Sequence, residues 1–279
     1  MRRAPSGPTA RSGAAHLRRA GGRLARTCAV SVSTLAAICG LWQGAIELFH
    51  LSPFVAKGPV AVYDFLATSP SASAARSTLA SALLVTLRDA GLGYLGGSAV
   101  ALGVALGVAL HRDVAQTVMP VAIALRSVPL VALVPILTLL LGQGLLAVTV
   151  IAGIVTFFPT LVNVVAGLRS APAQAFDLLA AYGASERAVL RKVQLPYALP
   201  ALFASARIAA PGALLGAILA EWLATGQGLG DLMVTSSSTA DYSMLWSAVA
   251  AITTVSILFY NAVGALERPV LARLGFGGP

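Results

Sequence analysis

SVPLVALVPILTLLLGQGLLAVTVIAGIVTFFPTLVNVVAGL, residues Ser127 to Leu168, contains no charged side chain. As one helix at 1.5 Å per residue it would run about 63 Å, roughly two crossings of a 30 Å hydrocarbon layer. Gly142-Gln143-Gly144 near its middle reads as the turn between the two crossings. Pro129 and Pro135, with Pro120 just upstream, predict a first crossing that is kinked or locally unwound. The stretch assigns the chain to a bilayer rather than to water.

The flanking sequence repeats the pattern. Ala90 to Leu110 and Tyr242 to Leu266 are uncharged throughout, and Ala29 to Leu48 is broken only by Glu47. Phe203 to Leu223 carries Arg207 and Glu221 near its ends and Pro211-Gly212 inside. These runs predict an all-α membrane protein with about six transmembrane helices. Composition agrees: of 279 residues 57% are hydrophobic and 10% charged, and the mean hydropathy is +0.84. A soluble domain carries about a quarter charged residues, which excludes a soluble enzyme.

The net charge of +9 is concentrated. Arg2, Arg3, Arg11, Arg18, Arg19, Arg23 and Arg26 precede the first run with no acidic residue among them. Residues 1–26 therefore read as a basic, disordered cytoplasmic tail, and residues 27–279 as the membrane domain. No cleavage site closes the first run, so it reads as a retained span and not a signal peptide. No folded module supports nucleic-acid binding. Six spans from an inside N-terminus place Arg112, Arg169, Arg187, Arg191, Lys192, Arg268 and Arg273 on the cytoplasmic side too, with both termini. The connection before the last span carries Asp231 and Asp241 and no basic residue.

Catalytic and metal chemistry find no footing. Cys28 and Cys39 lie at or in the first run, and His16, His50 and His111 are scattered, so neither a disulfide framework nor a metal site is expected. The two lysines, Lys57 and Lys192, stand in no GxxxxGK[ST] loop, so the chain should not hydrolyse ATP itself. Gly93 with Gly97, and Gly103 with Gly107, mark faces for close helix approach, within one subunit or across a homodimer seam. Arg126, Asn163 and Glu221 are the candidates to line a solute pathway, because polar groups in lipid are costly and turn inward. Glu47 and Trp42 read as interfacial, and Trp222 and Trp246 fit an aromatic belt.

One connection, Arg169 to Leu202, is too long for a structureless loop. Ser170 can cap a helix with Pro172 in its first turn, placing Phe176, Leu179 and Ala180 on one face. Gly183 suits a left-handed ending. Ser185 offers a second cap, Glu186 begins that helix, Arg191-Lys192 fall in its last turn and Pro196 should stop it. The result would be two short amphipathic helices made for a groove on another protein.

These residues carry a resemblance. DLLAAYGASERAVLRKVQLPYALP, Asp177 to Pro200, is similar to the signature loop of ABC importer permeases, EAA-x3-G-x9-I-x-L-P. Gly183, Leu195 and Pro196 match it and Val193 takes the isoleucine position; Asp177 replaces the glutamate, and Leu178 and Leu179 the alanines. RSVPLVALVPILTLLLGQG (Arg126 to Gly144), FFPTLVNVVAGLRS (Phe157 to Ser170) and AEWLATGQGLGDLM (Ala220 to Met233) resemble segments of the nitrate, sulfonate and taurine branch. The first has Leu140 and Leu141 where that branch has Trp-Phe.

The resemblance implies a type I importer permease in a bacterial cytoplasmic membrane, with coupling helices over about 170–200. Asp177, Ala180, Gly183, Ala184, Ser185, Val193, Leu195 and Pro196 would meet an ATPase subunit, itself present in two copies. A second permease subunit, by expectation another copy of this chain, and an extracytoplasmic binding protein would complete the system. ATP would be used by the partner, with no cofactor bound by this chain. The solute would be small and polar or anionic, of nitrate, sulfonate or taurine type. A self-contained secondary transporter or channel is the rival, and it would want acidic residues at mid-membrane, which the runs above lack.

Overall fold

The computed structural model of the chain describes residues 32–273. The tail expected over 1–26 lies outside the described residues. The chain divides into two compact units between Asp64 and Phe65, and all regular structure among the described residues is helical.

The first unit contains α1 (Val32–Leu48) and the start of α2 (Pro59–Ala67). The turn after α1 is closed by the Leu51 N–H on the Ile46 carbonyl at 3.0 Å, with His50 at φ 48°. Gln43 donates to Glu47 at 2.8 Å, one helical turn on.

The second unit is built round three long helices. α3 (Ala72–Leu110) has 39 residues, enough for about 58 Å. It starts well before the uncharged run that announces it, because a charge interrupts a hydropathy window but not a helix. Arg88 and Asp89, just before that uncharged run, lie inside α3, where Arg88 Nε donates to Asp89 Oδ1 at 2.7 Å. α4 (Arg112–Arg126) and α5 (Leu130–Leu141) are the broken crossing foreseen from the prolines. Pro129 precedes α5, and the residue before a proline is driven out of helical geometry, which separates the pair. Gly142, at φ 83°, ends α5, and α6 (Leu145–Leu168) follows.

The connection after α6 holds α7 (Ala173–Ala181) and α8 (Glu186–Val189). The expected stop at Pro196 is not there. From α8 the chain passes through a π-helical turn, Leu190–Gln194, into α9 (Leu195–Ala220) and a second π-turn, Glu221–Thr225. These segments form one helix, Glu186–Thr225, of 40 residues. Pro196 takes an early position of α9, just past the π-turn, where the hydrogen-bond ladder is already shifted and a missing N–H costs little. α10 (Gly228–Ser238) and α11 (Tyr242–Arg273) complete the unit. Among the described residues, four helices, those starting at Ala72, Leu145, Glu186 and Tyr242, are long and apolar enough to cross a membrane; Val32–Leu48 and Leu130–Leu141 are shorter apolar helices.

Small residues set the core spacing. A Cβ on Gly93 would fall 2.5 Å from Ala152 Cβ, and one on Gly97 would fall 2.3 Å from the Gly153 carbonyl, so α3 lies directly on α6. A Cβ on Gly216 of α9 would fall 3.0 Å from Ala152 Cα, so α9 also packs closely on α6. The Gly93–Gly97 pair is thus used inside the subunit, while Gly103 has open space beside it. Arg207, expected near a span end, sits within the long helix and is ion-paired with Glu267 of α11. The Tyr260 ring lies 5.7 Å from its guanidinium. Pairing and a π-face offset much of the cost of a charge in a span.

Candidate functional site

The elbow between α7 and α8 follows from local chemistry. Gly183 adopts φ 66°. Its N–H donates to the Ala180 carbonyl at 2.9 Å and the next, from Ala184, to the Leu179 carbonyl at 3.0 Å. This is a Schellman ending, which consumes the carbonyls a helix end leaves orphaned. Ser185 then caps α8, its side chain accepting from the Ala188 N–H at 3.4 Å. Ser170 does not act as foreseen: Pro172 precedes α7, and the Ser170 hydroxyl donates to the Gly167 carbonyl at 2.7 Å, closing α6 instead. The bond at Ser185 is long, so Ser185→Ala should cost only about 0.5 kcal/mol of elbow stability, read as faster amide exchange at Ala188 with the spans unaffected.

No residue of α7 is buried. Leu178 and Tyr182 are 58% and 82% exposed, and Asp177, Ala180 and Ser185 are exposed too. Val193 is buried, while Leu195 is exposed and Pro196 half-buried. The residues of the signature loop therefore divide between an outward elbow and the root that fixes it to α9.

A cavity of about 500 Å³ opens between α5, α6 and α9. Its walls include Leu133, Val155, Phe158 and Ile208, with Asn163 the polar side chain among them. Asn163, one of the pathway candidates, lies in the wall of this cavity. The Arg126 backbone ends α4, and its side chain lies outside the described residues. Glu221 is elsewhere: it is 1% exposed, accepting from Thr86 Oγ1 at 2.8 Å and from the Gly230 N–H at 2.9 Å. Sequence reasoning missed Thr86 and Asp89, both buried on α3. Their spacing, one helical turn apart in an apolar helix, was the available signal.

An outward elbow rooted in a long apolar helix, and a cavity among the spans, are the setting in which the comparisons fall. Residues 99–271 match the family described as binding-protein-dependent transport system inner membrane component. The chain belongs to this family. An ABC transporter permease of Haemophilus influenzae is 28% identical over 223 residues, covering 80% of this chain and 89% of that protein. The riboflavin transport permease RibX of Chloroflexus aurantiacus is 33% identical over 157 residues, covering 56% and 59%. The taurine transport permease TauC of Escherichia coli is 26% identical over 248 residues, covering 88% and 90%. The permease also shares its fold with the MetNI methionine ABC transporter in an inward-facing conformation, at TM-score 0.62 and 21% identity over 70% of this chain and 96% of that one. It is a multi-pass membrane protein of the ABC importer permease kind.

Proposed function

We propose that this permease is the membrane half of an ATP-driven importer in which the α7–α8 elbow docks on a separate ATPase. The observation that carries the reading is the exposure of α7 together with its firm ending: Leu178 and Tyr182 are presented to the outside on a capped, rooted elbow. An exposed apolar patch on an otherwise ordered turn is the kind of surface a partner covers. Two ATPase copies serve two permease subunits, the second being another copy of this chain. An extracytoplasmic binding protein delivers the solute. Both termini are cytoplasmic, as the basic residues indicate, which puts the elbow inside and α10 outside. The chain itself binds no cofactor, and ATP is spent by the partner.

The pathway runs past the cavity beside Asn163, and Arg126 is a second residue to serve it. The solute is small and polar or anionic, of nitrate, sulfonate or taurine type, supported by the taurine relative. A second reading, a flat heterocycle, is favoured by the cavity walls, where Phe158 and aliphatic side chains surround one carboxamide. Such walls suit a ring whose edge alone needs a hydrogen bond.

Uptake into cells whose ion gradients are collapsed but whose ATP is maintained tests the importer. We expect uptake to persist and to stop with vanadate; uptake that follows the ion gradient and ignores vanadate would overturn it. In the same assay, competition by taurine supports the first solute class and competition by riboflavin the second. Asn163→Leu should lower the rate about tenfold, by removing one hydrogen bond that the moving solute uses.

A further inference from the structure

Glu221 opens the final π-turn of the helix that begins at the elbow, and its contacts serve no step described above. α10 opens at Gly228 after Gln227, whose side chain caps nothing. The orphaned donors of its first turn are answered from other elements: the Leu229 N–H donates to Thr86 Oγ1 at 2.8 Å and the Gly230 N–H to Glu221 Oε2 at 2.9 Å. The Thr86 hydroxyl donates in turn to Glu221 Oε2 at 2.8 Å. A carboxylate at a helix N-terminus is also favoured by the helix dipole. The four residues are buried, with Thr86 and Leu229 at 0% exposure.

The glycines are what allow the carboxylate in. A Cβ on Gly228 would lie 2.2 Å from the Glu221 carboxyl carbon, and one on Gly230 would lie 2.3 Å from the Ile218 carbonyl. Gly226 and Gly228 both take positive φ, 63° and 85°. The link from α9 to α10 is therefore a π-turn followed by two left-handed glycines, a joint that by itself transmits little movement. Thr86 and Glu221 bridge that joint.

We infer that Thr86 and Glu221 form a buried latch that makes α10 move with the long helix Glu186–Thr225, carrying displacement of the elbow to the opposite membrane face. The inference rests on the docking reading above, since an elbow that met no ATPase would have nothing to transmit. Thr86 and Glu221 are positioning residues: they touch neither solute nor nucleotide, and they act by joining three helices through four polar groups.

The test uses the full chain in its native membrane, with Cys28→Ser and Cys39→Ser removing the natural thiols. Single reporters are placed by Gln174→Cys on α7 and Ser238→Cys on α10, both exposed positions. The labelling rate by N-ethylmaleimide, a membrane-permeant reagent, is read with and without ATP plus vanadate. Both reporters should respond in the parent. With Thr86→Val the α7 response should remain and the α10 response fall about tenfold, while Thr86→Ser, which keeps the hydroxyl, restores it. Retention of the α10 response in Thr86→Val would overturn the latch, as would a failure of Thr86→Ser to restore it. An α7 reporter silent even in the parent would instead contradict the docking reading, and the inference would fall with it.

Discussion

Gly183→Pro should abolish transport while leaving the membrane domain folded. The residue sits at φ 66°, a region closed to proline, whose ring holds φ near −65°. It also donates its N–H to Ala180, and proline has none. Both halves of the Schellman ending fail together, so α7 can no longer turn back into the Ser185 cap. Nothing lies within 4 Å of a Cβ built at Gly183, which keeps the damage local. Gly183→Ala should be the graded control, costing about 1 kcal/mol of left-handed strain and slowing uptake without stopping it. Uptake and thermal unfolding of each variant check this: uptake should fall more than tenfold in Gly183→Pro, with the unfolding temperature nearly unchanged.

The second large effect is expected at Gly97, with the opposite signature. A side chain there meets Thr156 and the Gly153 backbone, at 2.3 Å from its carbonyl and 2.8 Å from its Cα. Backbone cannot swing aside as a flexible side chain can, so α3 and α6 would have to separate along their whole contact. Gly97→Leu should cost about 3 kcal/mol or more, seen as loss of folded protein from the membrane and of the detergent-purified unfolding transition. Gly103→Leu, on the same helix and facing open space, should leave subunit stability alone. If Gly103 belongs to a seam between two copies, that variant will instead reduce the dimer fraction.

The contrast between these glycines shows what could be read from sequence and what could not. The helical membrane fold was legible because long uncharged runs have one physical home. The elbow was legible because Gly183 and Ser185 act through bonds to near neighbours, which spacing alone specifies. Ser170 and Pro196 were misread for a shared reason. Each has a local rule, helix starter or helix stopper, that the preceding helical segment overrides: the Gly167 carbonyl, one turn back in α6, claims Ser170, and the π-turn before α9 accommodates Pro196. The role of Glu221 was illegible for a different cause. Thr86 is 135 residues away in the chain, and no pattern in one sequence announces that pairing. A charge beside a span end suggests a pathway residue; the structure gives it a hydroxyl and a helix start to hold.

The central claim is that this chain moves solute with energy supplied by another subunit. It is tested most directly by purifying the tagged, full-length protein from its native membrane in mild detergent and identifying what accompanies it by mass spectrometry. The account predicts a protein with a GxxxxGK[ST] phosphate loop in near-equal amount to the permease, retained by the parent and lost from Gly183→Pro. Recovery of the chain alone, supporting solute uptake in vesicles without ATP, would contradict it.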